Sequence, residues 1–432
     1  MFHFEQVRCE FAQAGAESCE ISGMNKWILG LCVGAVLGAV GCSSSLPSVQ
    51  TAARKPYDWE ARLLHPEVSV MRLSPDSAAL FLRIDRNELL YLRDAPELPF
   101  TASVQIQAGA QSWRLRDTLA PNMPQRLDAV WRFAVRDVDS TRMRGEGLRA
   151  EVHIRDLHRN AEALESLELP PAHQTVNRFD ASGWPLAGRD VAVGDTVYLQ
   201  GPGGMGWVWL QAVAEPNLPS PPFSSFSDPL ADLEARALDT LQADAEGRFA
   251  FVVPEGTSVL RSLALDFEVI LHGRRADFPH VRTVPYLIET TRYVTSRSEY
   301  ERMTSSDDPK GGLDAFWLDC GNDEDRAANL IATYYGRVEE ANRYFSGLQE
   351  GWRTDRGMVH IVYGVPNKVR RSGRSEWWIY GEEGSANTIT FSFRHAPTEL
   401  DANRYILDRS IQFRPTWDRM VTSWRNGRIQ GD

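Results

Sequence analysis

"GWRTDRGMVHIVYGVP", Gly351–Pro366, decides how the last third of this chain is read. Thr354-Asp355-Arg356-Gly357 carries turn chemistry, because an Asp or Thr side chain can accept from a nearby backbone amide. Gly357 is free to take positive φ without steric cost. Met358 to Tyr363 then alternates as a strand would, with His360 between Met358 and Val362, and Gly364 and Pro366 close the run. The stretch concentrates reactive residue types, so three readings compete: an active site, a ligand site, or a corner that joins elements. Asp355 and Arg356 are adjacent and point differently, so each is expected to serve its own partner. Arg337 is one candidate partner for Asp355. Trp352 is suited to pinning a helix to a sheet.

Working outward, Asn322 is expected to cap a long helix over "DEDRAANLIATYYGRVEEANRYFSGLQEG". Acidic residues behind an N-cap suit the positive helix end. Ala327, Leu330, Ile331, Tyr334, Val338, Ala341 and Phe345 recur at helical spacing, and Gly351 is expected to stop the helix or its short extension. "RSEYERMTS" and "GGLDAFWLDC" read as two shorter helices before it. Downstream, "SEWWIYG", "NTITFSFR" and "NRYILD" read as strands, and "TWDRMVTSW" as a final amphipathic helix or turn. In "EWWIY" alternation sets Glu376, Trp378 and Tyr380 on one face and Trp377 and Ile379 on the other. Exposed aromatics there could stack on sugar rings; packing of a two-sided sheet is the favoured reading.

Gly351, Trp352, Thr354 and Asp355 reproduce the pattern that names the bacterial GWxTD domain, which residues from Glu299 to about Leu407 resemble. "FWLDC" is similar to that family's FW-containing segment. "YYGRVEEANRYF", with Arg337, Asn342 and Phe345, is similar to its Y-x-R…A-N-x-x-F helix. "DRGMVHIVYGVP", through Arg356, Gly357, Tyr363, Gly364 and Pro366, resembles its DRG strand and Y-G-x-P turn. "EWWIY", with Trp378 and Tyr380, resembles its W-x-Y strand. One departure is Leu318-Asp319-Cys320-Gly321, where the family often has Arg-Asp-Pro. The resemblance implies a secreted or lipid-anchored protein with β-rich regions before the domain, and it implies no reaction.

Residues 57–170 hold about seven short alternating runs, among them "VSVMRL", "SAALFLRI", "ELLYLR", "ASVQIQ" and "LRAEVHIRDL". They predict a half-buried antiparallel β-sandwich of immunoglobulin-like type. Residues 172–290 are expected to form a second β-rich domain around "DTVYLQG", "GWVWLQAV", "GRFAFVVP" and "ALDFEVILHG". "EPNLPSPPFSSFSDPL" is an exposed loop by its prolines and serines, and "PLADLEARALDTL" after it reads as a short inserted helix. The fold class is therefore mainly β with an α+β C-terminal domain: two tandem sandwiches, a helix-plus-antiparallel-sheet GWxTD domain over 291–410, and a tail or helix over 411–432.

The N-terminus carries a localisation signal. Residues 1–23 hold four glutamates, the wrong charge for a leader, so Met24 is the expected start. Residues 24–41 read as a signal peptide whose apolar run is short for a membrane span. Ala39-Val40-Gly41-Cys42 resembles a lipobox, although Leu is more usual where Ala39 stands. Cys42 is thus the expected lipidation site, and residues 42–56 a flexible tether. Ser43 after the cysteine, with no acidic run, points to an outer-membrane lipoprotein facing the periplasm.

A net charge of -11 disfavours nucleic-acid binding. Of the five cysteines, Cys9, Cys19, Cys32, Cys42 and Cys320, none forms a CxxC pair. His153 and His158 lack a third ligand, so no metal and no cofactor is expected. "GPGGMG", Gly201 to Gly206, matches GxGxxG but precedes a strand instead of a helix, which rules against a dinucleotide site. The leading expectation is a non-catalytic module that binds an envelope protein or glycan. The alternatives are a hydrolase using Asp355, His360 and Glu376, or a glycan-binding face at Trp377 and Trp378.

Overall fold

The computed structural model describes residues 268–429 apart from 386. Before them it describes 50–51, 57, 63–74, 77–85, 88, 100–108, 111–119, 126–134, 148–156, 161–169, 176–186, 188–201, 206–212, 218–225 and 235–262. The expected leader, Cys42 and all but Glu88 of the strand expected over "ELLYLR" lie outside the described residues.

Strand-like alternation in the first region is realised as two antiparallel sheets. β2 (Glu67–Ser74), β3 (Ser77–Asp85) and β6 (Arg126–Ala134) form one in the order β2-β3-β6. β4 (Phe100–Ala108), β5 (Gln111–Leu119), β7 (Leu148–Asp156) and β8 (Ala161–Leu169) form the other, β5-β4-β7-β8. The sequence reading missed β8, "AEALESLEL", whose Ala, Glu and Leu favour helix; pairing along the whole of β7 overrides that propensity.

The second region also forms two sheets. β9 (Asn177–Phe179), β11 (Thr196–Gln200) and β14 (Phe249–Val252) run in the order β14-β11-β9. β10 (Asp190–Ala192), β12 (Trp207–Ala212), β13 (Ala235–Leu241), β15 (Gly256–Ser262) and β16 (Glu268–Arg274) run β10-β16-β15-β12-β13. Val197, Leu199, Phe249 and Phe251 from the first pack with Trp207, Leu260, Val269 and Leu271 from the second, so one core lies between the sheets. The expected inserted helix is corrected here: "ARALDTL" is β13, because β12 supplies ladder partners from Trp207↔Leu241 to Ala212↔Ala235.

The last region is α+β. α1 (Val284–Thr290), α2 (Arg297–Ser305), α3 (Pro309–Gly321), α4 (Glu324–Phe345), α5 (Asp355–Tyr363) and α6 (Arg414–Arg425) pack on an antiparallel sheet. Its strands, in spatial order, are β1 (Gln50–Thr51), β17 (Lys368–Ser372), β18 (Ser375–Tyr380), β19 (Ile389–His395) and β20 (Tyr405–Leu407). One core joins Tyr286 of α1, Phe316 and Trp317 of α3, Tyr334 and Phe345 of α4, Trp378 and Phe391 of the sheet, and Trp417 and Trp424 of α6.

Two expected helix boundaries move. Asp323 caps α4, its carboxylate accepting from Arg326 N at 2.8 Å. Asn322 instead ends α3 at φ 62°, a left-handed conformation that Asn tolerates better than most residues. α4 stops at Phe345, before Gly351, with Ser346 already extended. Ser346 Oγ donates to Asn342 O at 2.7 Å and accepts from Gly351 N at 2.8 Å, so this hydroxyl tethers the chain between helix and motif.

The largest correction concerns Met358–Tyr363. It is not a strand but the body of α5, in which all eight residues from Arg356 to Tyr363 are buried. A helix enclosed on every side needs no polar face, so its apolar pattern cannot be told from a buried strand. The signal for helix lay just upstream. Thr354 Oγ1 accepts from Gly357 N at 3.0 Å as an N-cap, and Asp355 follows in the first turn.

Candidate functional site

The signature residues lie where α4, a 3-10 turn over Gly351–Arg353, α5 and the sheet meet. Backbone approaches backbone closely there. A Cβ on Gly351 would stand 1.8 Å from Ala341 O, and one on Gly357 would stand 1.9 Å from Gly351 O. Gly357 is helical, so the expected need for positive φ is replaced by a need for space. Gly364 does take φ 80°, ending α5 as its amide donates to His360 O at 2.7 Å.

Trp352 is fully buried. Its amide donates to Asn342 Oδ1 at 3.2 Å, its indole N–H to Glu350 Oε2 at 2.8 Å, and its carbonyl accepts from Tyr293 OH at 2.6 Å. Its ring meets Tyr286 and Tyr293 edge-on. Trp352 therefore joins α4 to the α1 region, whereas a helix-to-sheet pin was expected. Asn342 is the hub of this joint: its Nδ2 also donates to Pro279 O at 3.0 Å and to Tyr286 OH at 3.2 Å.

Asp355 makes the helix-to-sheet connection. Its Oδ2 accepts from Leu407 N at 2.8 Å and from Arg409 Nη1 at 3.1 Å, and its Oδ1 accepts from Arg409 Nη2 at 2.5 Å. The two side chains are only 10% and 11% exposed. Arg337, the partner proposed from sequence, donates to Ile361 O at 3.4 Å and lies over the Trp424 ring. Arg356 turns the other way. Its guanidinium stacks 3.9 Å over Tyr405, donates to Asn403 O at 2.9 Å and to Asn403 Oδ1, and lies 3.9 Å from Glu376.

His360 faces α4, where Nε2 meets Glu340 Oε2 at 2.8 Å and the ring packs against Phe345 and Trp378. Asp355 and His360, five residues apart on one helix, stand about 140° apart around its axis. Glu376 is buried and accepts from Tyr57 OH at 2.6 Å, Trp378 Nε1 at 2.6 Å and Arg371 Nε at 2.7 Å. Burial works to raise its pKa, but the Tyr57 hydrogen bond, the Arg356 charge and the Trp378 and Arg371 bonds outweigh it and hold the carboxyl below its usual value. The three groups of the hydrolase reading thus meet three separate internal partners.

Tyr363 packs on Phe391 and its hydroxyl donates to Thr416 at 3.2 Å; Tyr380 OH donates to Gly364 O at 2.9 Å; Pro366 is buried beside them. Trp378 is fully buried, and Trp377 is half-buried on the opposite face of β18. A cavity of about 500 Å³ is lined by Pro219, Arg292, Tyr293, Met358, Trp417 and Thr422 among others, and by none of Asp355, His360 and Glu376. Sequence reasoning missed Tyr57, Arg409, Asn403 and Glu350. Tyr57 lies 319 positions from Glu376 and Arg409 lies 54 from Asp355, so no local pattern could have paired them.

The architecture so far defines an α+β domain in which a glycine-dependent turn locks helices to an antiparallel sheet. Residues 262–426 match the GWxTD domain family, and the chain is a GWxTD domain-containing protein. The match reaches past the span read from sequence at both ends, and takes in α1 and α6, which share the domain's core. No curated protein matches the chain.

Proposed function

We propose that this chain is a lipid-anchored envelope protein in which two immunoglobulin-like sandwiches accompany a non-catalytic GWxTD domain that binds another envelope protein. The observation that carries the non-catalytic reading is the Asp355 carboxylate, engaged by Arg409 and the Leu407 amide and nearly closed to solvent. A general acid or base must reach a substrate proton, and Asp355, His360 and Glu376 each face an internal partner instead. Full burial of Trp378 removes one aromatic of the sugar platform, which favours a protein partner over a glycan.

The anchor reading is supported by the apolar run of residues 27–40 ending Ala39-Val40-Gly41-Cys42. Two or more acyl chains give stable attachment. Ser43 and the absence of an acidic run favour the outer membrane, periplasmic face. Among the described residues no helix is long and apolar enough to cross a membrane.

Mass spectrometry of the native protein tests the anchor: an acylated N-terminal Cys42 is expected, and an unmodified Cys42 in a water-soluble chain would refute it. Crosslinking in intact envelopes tests the binding role. A discrete protein adduct that survives Glu376→Gln is expected; a substrate turned over by the wild type and not by that variant would overturn it.

A further inference from the structure

Sequence order places the GWxTD domain farthest from an anchor at Cys42. The contacts of residues 50–57 reverse that order. Tyr57 is 7% exposed, and its ring packs against Phe345, Trp378 and Tyr344 of the domain at centroid distances of 4.9, 5.3 and 5.5 Å. Its hydroxyl donates to Glu376 Oε1 at 2.6 Å and accepts from Arg371 Nη2 at 2.6 Å. Just upstream, β1 adds an edge strand to the same sheet, Gln50 opposite Arg371 and Thr51 opposite Arg370. The expected tether is thus paired with the domain at Gln50–Thr51, and Tyr57, the first residue assigned from sequence to the first sandwich, belongs instead to the GWxTD domain's core.

Glu376 makes this more than a passing contact. It is 1% exposed, and the Tyr57 phenol is one of its hydrogen-bond donors. Withdrawing Tyr57 leaves a buried carboxylate short of a donor and opens an aromatic slot, both of which oppose release. Seven residues lie between Cys42 and Gln50, and the eight steps this makes span at most ~30 Å when fully extended.

We propose that Gln50–Thr51 and Tyr57 clamp the GWxTD domain within a short length of chain from the anchor, so that the last domain in sequence is the membrane-proximal one. The two sandwiches are then an excursion of the chain between Tyr57 and α1 of the domain. The proposal rests on the lipid-anchor reading of the preceding section. Its chemistry is β-strand addition plus a phenol–carboxylate contact.

The test uses the full acylated chain in vesicles with a donor dye at Gly373→Cys and acceptor dyes on the lipid headgroups. Position 373 lies in the β17–β18 turn, where an added Cβ meets nothing within 4 Å, and Cys320 is buried away from the label. Two insertions of twenty Gly/Ser residues are compared, each adding about 25 Å of reach. Inserted after residue 46, the linker is expected to cut energy transfer severalfold; inserted after residue 60, it is expected to leave transfer unchanged. Equal losses from both insertions would overturn the proposal, because the path to the domain would then run through the sandwiches. Hydrogen exchange on the full chain without vesicles reads the clamp alone. Faster exchange over residues 368–372 in Tyr57→Ala is expected, and unchanged exchange in a folded variant would overturn the clamp. Failure of the anchor shows instead as an unacylated Cys42 with protection over 368–372 intact.

Discussion

Gly357→Ala should damage this protein, although it replaces a poor helix former with the best one. At an open helical site that exchange is worth ~1 kcal/mol in favour of Ala. Here the new Cβ would lie 1.9 Å from Gly351 O, 2.8 Å from its carbonyl carbon and 3.0 Å from Trp352 Cα. All three are backbone atoms and cannot rotate aside, so α5 and the 3-10 turn must part by roughly 1.5 Å to restore ordinary contact. The movement strains the Thr354 cap, which holds Gly357 N at 3.0 Å and Gly351 O at 2.8 Å. Overpacking costs about 1–3 kcal/mol and a weakened cap about 1 kcal/mol. After the propensity gain, a net loss of about 2 kcal/mol remains. For a domain of this size that lowers Tm by roughly 4–8 °C, which calorimetry or circular dichroism resolves. Gly336→Ala is the control: it is exposed on α4 with nothing within 4 Å of its Cβ, so it should raise Tm slightly. A Gly357→Ala protein as stable as wild type, beside a stabilised Gly336→Ala, would refute the close approach.

His272 gives a pH signature. Burial pushes its pKa down to about 3, with help from the Arg274 and Arg189 charges, while Thr257 lies 2.9 Å from its Nδ1. The unfolded chain takes up a proton below about pH 6.5 that the folded one refuses, so stability falls as pH drops from 6.5 towards 3. His272→Gln should flatten the dependence of Tm on pH in that window; an unchanged slope would contradict the assignment. Cys320 is buried in α3, and burial pushes its thiol up to about 11. Maleimide should label it at least ~10-fold more slowly in native protein at pH 7.5 than in urea, because the thiolate is the reactive form. Equal rates would place the sulfur at the surface.

Much of the fold was legible because its signals are local. Alternation in "GRFAFVVP" follows from a sheet with one face on a core, "SAALFLRI" is strand-like though buried at five consecutive positions, and α4 shows a buried stripe from Ala327 to Phe345 close to the one its spacing predicts. What misled is equally physical. "ARALDTL" and "AEALESLEL" have helical composition yet complete sheets through ladders with β12 and with the adjacent strand β7. "MVHIVY" is enclosed on all sides, so its apolar residues carry no period, and the N-cap Thr354 was the better guide. The glycines at 351 and 357 announced a special backbone, but whether they supply positive φ or room depends on how near Ala341 and Gly351 carbonyls come. Tyr57 and Arg409 were invisible for a different reason: each donates to a carboxylate distant in sequence, and only the folded chain brings the pairs together.

If the signature is a structural joint, a double-mutant cycle on Asp355 and Arg409 must show the two side chains coupled. Asp355→Asn keeps an oxygen for Leu407 N but removes the charge facing Arg409, and Arg409→Gln does the converse. Each single variant should lose about 2–3 kcal/mol, since breaking one side of a largely buried pair strands the other. The double variant should fall short of the sum by at least ~1 kcal/mol. Envelope crosslinks should persist in all three at temperatures where they remain folded. An Asp355→Asn protein of wild-type stability that has lost its crosslinks would contradict the claim and make this carboxylate a ligand contact.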